Sequence, residues 1–136
     1  MTIDDALRLV VHVLEELGTP YIVVGSFSTN FYGKRRPTKD ADLVIELRPT
    51  TISQLAPRIG PALRVIPQMS FETATGTTRH EIEVVGTDLK IELFHLSDDA
   101  HDQERFRRRR RQMLTDHEAW LPTAEDVIVT KLRWTD

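Results

Sequence analysis

Tyr21-Ile22-Val23-Val24-Gly25-Ser26, followed further on by Asp40-Ala41-Asp42-Leu43-Val44-Ile45-Glu46-Leu47, decides how this chain is read. The first run is β-branched, too short for a helix, and ends at a glycine-serine pair, which predicts a strand entering a turn. The second run alternates. Asp40, Asp42, Val44 and Glu46 fall on one face and Ala41, Leu43, Ile45 and Leu47 on the other, the period of a strand with an apolar back. Between them, Ser26 to Tyr32 predicts a short helix starting at the glycine-serine pair and ending at Gly33. Pro37 then imposes an extended approach to the second strand.

Outward from this centre, residues 3–17 carry Ile3, Ala6, Leu7, Val10, Leu14 and Leu17 at helical spacing. Thr2 and Asp5 form a capping box before them and Gly18 is the stop signal. Residues 51–59 predict a short helix with Ile52, Leu55 and Ile59 inward, closed by Gly60-Pro61. Val65-Ile66, His80 to Val85 and Leu89 to Leu96 predict strands, the last two joined as a hairpin through Gly86-Thr87-Asp88. Asp102 to Leu114 reads as a helix with Phe106, Arg110 and Met113 on one stripe. Thr123-Ala124-Glu125-Asp126 is a second capping box, opening a helix through Val127, Ile128 and Leu132. This order predicts an α/β (α+β) fold, a mixed sheet covered by helices. The length of 136 residues predicts a single domain over 1–136. The last helix reaches Trp134-Thr135-Asp136 with no cap, so a C-terminal continuation is expected.

Composition excludes several classes. There is no cysteine, hence no disulfide, thiolate nucleophile or thiolate-bound zinc. No apolar tract is long enough to cross a bilayer, and Thr2, Asp4 and Asp5 stand where a secretory leader needs a basic and then an apolar region. The expectation is a cytoplasmic protein with no membrane partner. Net charge is −3, but Arg105, Arg107, Arg108, Arg109, Arg110 and Arg111 concentrate six positive charges in a chain otherwise acidic. An acidic body with one basic segment suits metal-binding carboxylates beside a polyanion-binding surface.

Two aspartates one residue apart on a strand share a face and can share divalent cations. Hard oxygen donors without cysteine favour Mg²⁺ or Mn²⁺ over zinc, and Mg²⁺ completes its shell with waters and phosphates, so a nucleotide is the expected partner. Gly25-Ser26 supplies what phosphates need: backbone N–H groups, a hydroxyl and a helix N-terminus. Alone, Asp40 and Asp42 read as readily as the solvated face of a half-exposed sheet. Their conjunction with Gly25-Ser26 favours a site.

Over residues 21–47 the chain resembles the DNA polymerase β-like nucleotidyltransferase superfamily, whose signature is a Gly-Ser turn, a short helix and Asp-x-Asp on the next strand. Arg36, Thr38, Asp40 and Asp42 match the Arg-x-Thr-x-Asp-hydrophobic-Asp spelling of its minimal nucleotidyltransferase and AbiEii-type toxin-like branch. The resemblance implies transfer of a nucleoside monophosphate from a Mg²⁺-bound NTP to a hydroxyl of RNA, such as tRNA, or of protein, in a toxin–antitoxin setting with an antitoxin as partner. It implies that Gly25 and Ser26 hold phosphates and that Asp40 and Asp42 ligate metal. A third carboxylate is expected on a later strand. Glu92, in Leu89-Lys90-Ile91-Glu92-Leu93-Phe94, takes that place as catalytic and metal-ligating residue, one methylene longer than the family's usual aspartate. Lys131 matches a family lysine in Glu125-Asp126-Val127-Ile128-Val129-Thr130-Lys131-Leu132, and with Arg36 and Thr38 it completes the nucleotide-binding set.

Rival assignments are weaker. Asp88 sits at the hairpin turn, and Glu46 is about 13 Å from Asp42 along the strand, beyond a shared ion. Lys34 and Arg35 read as solvated loop charges as readily as phosphate ligands. On a helix the arginine run points all around the cylinder, so only part of it could grip RNA phosphates. His80, His95, His101 and His117 have no metal-ligand spacing, and His95 reads as a partly buried strand residue. Two other readings stay open: a catalytically silent nucleotide-binding module, and an RNA- or protein-interaction domain in which Asp40 and Asp42 are plain surface charges.

Overall fold

A computed structural model describes residues 1–24, 39–46, 51–66, 70–72, 77–114 and 117–126. Gly25, Ser26, Lys34, Arg35, Arg36, Thr38 and Lys131 lie outside them, as do the expected helices at 26–32 and from Val127 onward.

Helix α1 (Ile3–Glu16) is closed at its start by the expected capping box. The Asp5 N–H donates to Thr2 Oγ1 and the Thr2 N–H to Asp5 Oδ2, both at 3.1 Å. Beyond its end, Gly18 takes φ +68°, a left-handed conformation that side chains with a Cβ resist. Its apolar stripe, Ala6, Leu7, Val10, Val11, Val13 and Leu14, is buried. Burying each leucine contributes roughly 1.5–3 kcal/mol.

That stripe packs on one face of a mixed sheet built from β1 (Tyr21–Val24), β2 (Asp40–Ile45), β3 (Leu63–Val65), β4 (Ser70–Glu72), β5 (Thr77–Val84) and β6 (Lys90–His95). The order is β1-β2-β6-β5-β3, with β4 also pairing to β5. Only the central β2–β6 pair is parallel. Short α2 (Thr51–Leu55) continues into a 3₁₀ turn over Ala56–Arg58, so the segment read as one helix is two. Pro57 has no N–H to extend the α-helical pattern, and Leu55 and Ile59 are buried as expected. The hairpin between β5 and β6 turns at Gly86, φ +81°.

Period two puts Ala41, Leu43, Ile45, Ile91, Leu93, Ile82 and Val84 on the α1 side, all buried. On the other face a smaller cluster of Ile22, Val24, Val44, Phe94 and Phe106, with Leu96 against it, covers only part of the sheet. Phe106 comes from α3 (Ala100–Arg107), N-capped by Asp99.

The expected helix over Asp102–Leu114 is corrected here. It ends at Arg107, and residues Arg110–Leu114 form strand β7, paired antiparallel with β8 (His117–Leu121). The run Arg107-Arg108-Arg109-Arg110-Arg111 would stack like charges at helical i, i+3 and i, i+4 spacing. In the strand Arg111 finds carboxylate partners instead. Arg111 bonds Glu118 across the hairpin and Glu15 on α1, both at 2.8 Å. Buried Leu114, Ala119 and Leu121 then join the main core. No described helix is long and apolar enough to cross a membrane.

Candidate functional site

Beyond that cluster, the second sheet face carries charged residues. β2 enters the sheet at Asp40, which is exposed, while Asp42 is half-buried and Ala41 between them is fully buried. Asp42 has three defined neighbours. Val24, the residue before Gly25-Ser26, is opposite it on β1, and Glu92 is opposite it on β6. Asp40 is two residues back along its own strand. The parallel register of β2 with β6 sets Asp42 opposite Glu92 and Asp40 opposite Lys90.

Asp42 is pushed up to about 7. Burial penalises its charge first, then the Glu92 carboxylate repels it and accepts its hydrogen bond, and Asp40 adds repulsion; Lys90 opposes them.

Glu92 is enclosed from its other side. Its Oε1 accepts from Arg79 Nη1 at 2.8 Å and lies 3.2 Å from Lys90 Nζ. Arg79 also reaches Glu81 at 3.5 Å. Arg79 and Glu81 were not read as site residues, although a signal existed. A hairpin turning at Gly86-Thr87-Asp88 places Glu81 opposite Glu92, and the alternation of Arg79, Glu81 and Glu83 with His80, Ile82 and Val84 puts the charged set on the carboxylate face.

Other assignments resolve simply. Asp88 is exposed and bound to Lys39 at 2.6 Å, which holds its carboxyl below the usual range. Glu46 is exposed beyond the end of β2. Of the arginine run, Arg108 bonds Asp126, Arg107 bonds Glu104, and Arg109 stacks over Phe106 and Trp120 at 4.5 and 4.9 Å from the ring centres. These contacts absorb most of the basic segment into the fold. Asp126 also accepts from Thr123 Oγ1 and donates its N–H back to it, the local geometry of the expected helix start.

On the α1 face, His80 Nδ1 and His95 Nε2 are 3.1 Å apart and Thr78 Oγ1 bonds His95 Nδ1. Burial lowers both imidazoles, and for His95 the neighbouring His80 adds to it. His95 also opens onto a cleft of about 790 Å³ with Glu46, Gln103, Arg107 and Arg109. The cleft lies at the opposite end of β2 and β6 from Asp40 and Glu92, neither of which lines it. Among the described residues, no three His, Cys, Asp or Glu side chains are placed to hold a metal ion together.

No family model matches the sequence, and no curated protein matches it by sequence. Solved structures match it by fold. The antibiotic-resistance factor ANT(2'')-Ia superposes with a TM-score of 0.62 at 11% identity, over 97% of this chain and 71% of that one. An antigenic nucleotidyltransferase-like protein from Paracoccidioides brasiliensis gives 0.56 at 17%, over 93% and 64%. A tRNA-processing enzyme gives 0.50 at 21%, over 95% of this chain but 34% of the enzyme. The architecture is the nucleotidyltransferase fold, as the resemblance over residues 21–47 implies.

Proposed function

We propose that this chain of nucleotidyltransferase fold transfers a nucleoside monophosphate from an NTP to a hydroxyl of RNA or protein, with Mg²⁺ or Mn²⁺ held by Asp40 and Asp42. The observation that carries the reading is Asp42 set opposite Glu92 on adjacent parallel strands, with Asp40 two residues back on the same face as Asp42. Crowded carboxylates form a donor set that a divalent cation relieves. Hard oxygens on a strand adjoining the Gly25-Ser26 sequence fit Mg²⁺ and a phosphate chain.

When bound, the cation would polarise the α-phosphate and offset its charge. The chain's own groups do the rest. Asp42 and, at the rim, Asp40 would supply the carboxylates that hold the cation. Gly25, Ser26, Arg36, Thr38 and Lys131 are assigned to the phosphates. Glu92 takes the proton of the acceptor hydroxyl as the oxygen–phosphorus bond forms and pyrophosphate leaves. The likeness to a tRNA-processing enzyme is in keeping with an RNA acceptor. The Arg36-x-Thr38-x-Asp40-x-Asp42 spelling supports a toxin–antitoxin setting with an antitoxin partner.

One observation favours a second reading, a nucleotide-binding module without transfer: Glu92 is occupied by Arg79 and Lys90. The two separate on incubation with α-labelled NTPs, Mg²⁺, total RNA and cell protein. Transfer labels an acceptor, and Asp42→Asn reduces the label to background. Equal labelling by both proteins excludes the assignment. Labelling by neither, with a Mg²⁺·NTP thermal shift that Asp42→Asn removes, leaves the binding module.

A further inference from the structure

The Glu92 side chain is 12% exposed, and its Oε1 takes both an arginine and a lysine. Arg79 is not directly opposite it. The register sets Arg79 against Phe94 and Glu92 against Glu81, so Arg79 and Glu92 are diagonal neighbours across an antiparallel pair, a distance that only long side chains bridge. The extra methylene of a glutamate supplies that reach. Arg79 is itself only 23% exposed and cannot release its charge at any ordinary pH. Two fixed positive groups at one carboxylate oxygen satisfy it and repel an approaching dication.

Resting on the proposed function, we propose that Arg79 is a positioning residue that withholds Glu92 from metal. The site then takes one divalent cation on Asp40 and Asp42, while Glu92 stays an orienting and proton-accepting carboxylate. The choice of glutamate over aspartate at 92 and the presence of arginine at 79 are one device. Shortening residue 92 breaks the diagonal contact and releases its carboxylate from the guanidinium. Removing the guanidinium has the same effect from the other strand.

The test counts Mn²⁺ bound per chain, by electron paramagnetic resonance of the free ion, in the presence of a saturating NTP analogue that cannot be cleaved between the α- and β-phosphates. The wild type binds one ion per chain, and Glu92→Asp and Arg79→Gln each bind two. Asp42→Asn serves as the control that loses the first. Glu92→Asp keeps charge and hydrogen bonding and is the variant expected to fold unaltered; thermal melting of both variants checks this. Two ions in the wild type, or one in both folded variants, overturn the inference and leave the proposed function standing. A wild type that takes up neither Mn²⁺ nor nucleotide overturns the proposed function, and the inference falls with it.

Discussion

Asp42 and Glu92 face each other from parallel strands, and burial together with the Glu92 carboxylate pushes the Asp42 carboxyl up to about 7. A carboxyl raised from 3.8 to about 7 binds its proton more tightly in the folded chain than in the unfolded one. Its stabilising contribution is complete below pH 4 and is lost as pH rises through 7. The metal-free protein is therefore expected to lose stability, on the order of 2 kcal/mol, between pH 5 and pH 8 from this pair alone. Asp42→Asn should abolish that slope and melt higher than wild type at pH 8. Urea denaturation at the two pH values measures both, and an Asn variant with an unchanged slope refutes the assignment.

Across the sheet the histidines pull the other way. His80 and His95 are lowered by burial, so the unfolded chain takes up their protons first. Their contribution is full above 6.5 and is lost as pH falls through their lowered values. Imidazole titration by NMR should find both below the ordinary range, and replacing His95 with glutamine should flatten the acid limb of the stability profile. A midpoint at or above 6.5 for both would contradict the buried neutral pair.

Much of this was legible in the sequence because one face of each element is apolar. Period two fixed Asp40 and Asp42 on one face, and the family resemblance pointed to Glu92 on a later strand. What escaped was pairing between distant segments. The hairpin and the alternation place Arg79 on the Glu92 face, but the diagonal contact between them depends on the exact β5–β6 register. The helix expected through Leu114 failed for a related reason. Phe106, Arg110 and Met113 recur at helical spacing, but the partners of the arginines lie on α1, β8 and the segment at Asp126, and those long-range ion pairs and stacks favour a strand from Arg110.

Arg108 and Asp126 offer a direct measure of that tertiary override. Asp126 is 3% exposed, and Arg108 reaches its two oxygens at 2.5 and 3.2 Å. Removing the guanidinium leaves a buried carboxylate still hydrogen-bonded by Thr123. Because Arg108 is itself about half exposed, Arg108→Ala should lower stability by less than the full penalty for a wholly buried pair. Asp126→Asn should cost less, since the amide keeps a partner for Thr123. Equal losses in urea denaturation would show that the charge contributes nothing.

The last expectation concerns what the basic segment does. Arg109 lies between Phe106 and Trp120, and Arg111 is tied to Glu15 and Glu118 while also approaching the Trp120 ring at 5.8 Å. Side chains committed to rings and carboxylates of their own chain have little left for a phosphate backbone. Arg109→Ala should therefore lower stability by about 1–2 kcal/mol, with Arg109→Lys restoring only part because an ammonium cannot stack as a plane. RNA affinity, measured across a salt series, should keep its slope in Arg109→Ala, whereas loss of a genuine phosphate contact lowers the slope by about 1. A slope that falls by that amount, with stability unchanged, would return Arg109 to the nucleic-acid surface read from composition.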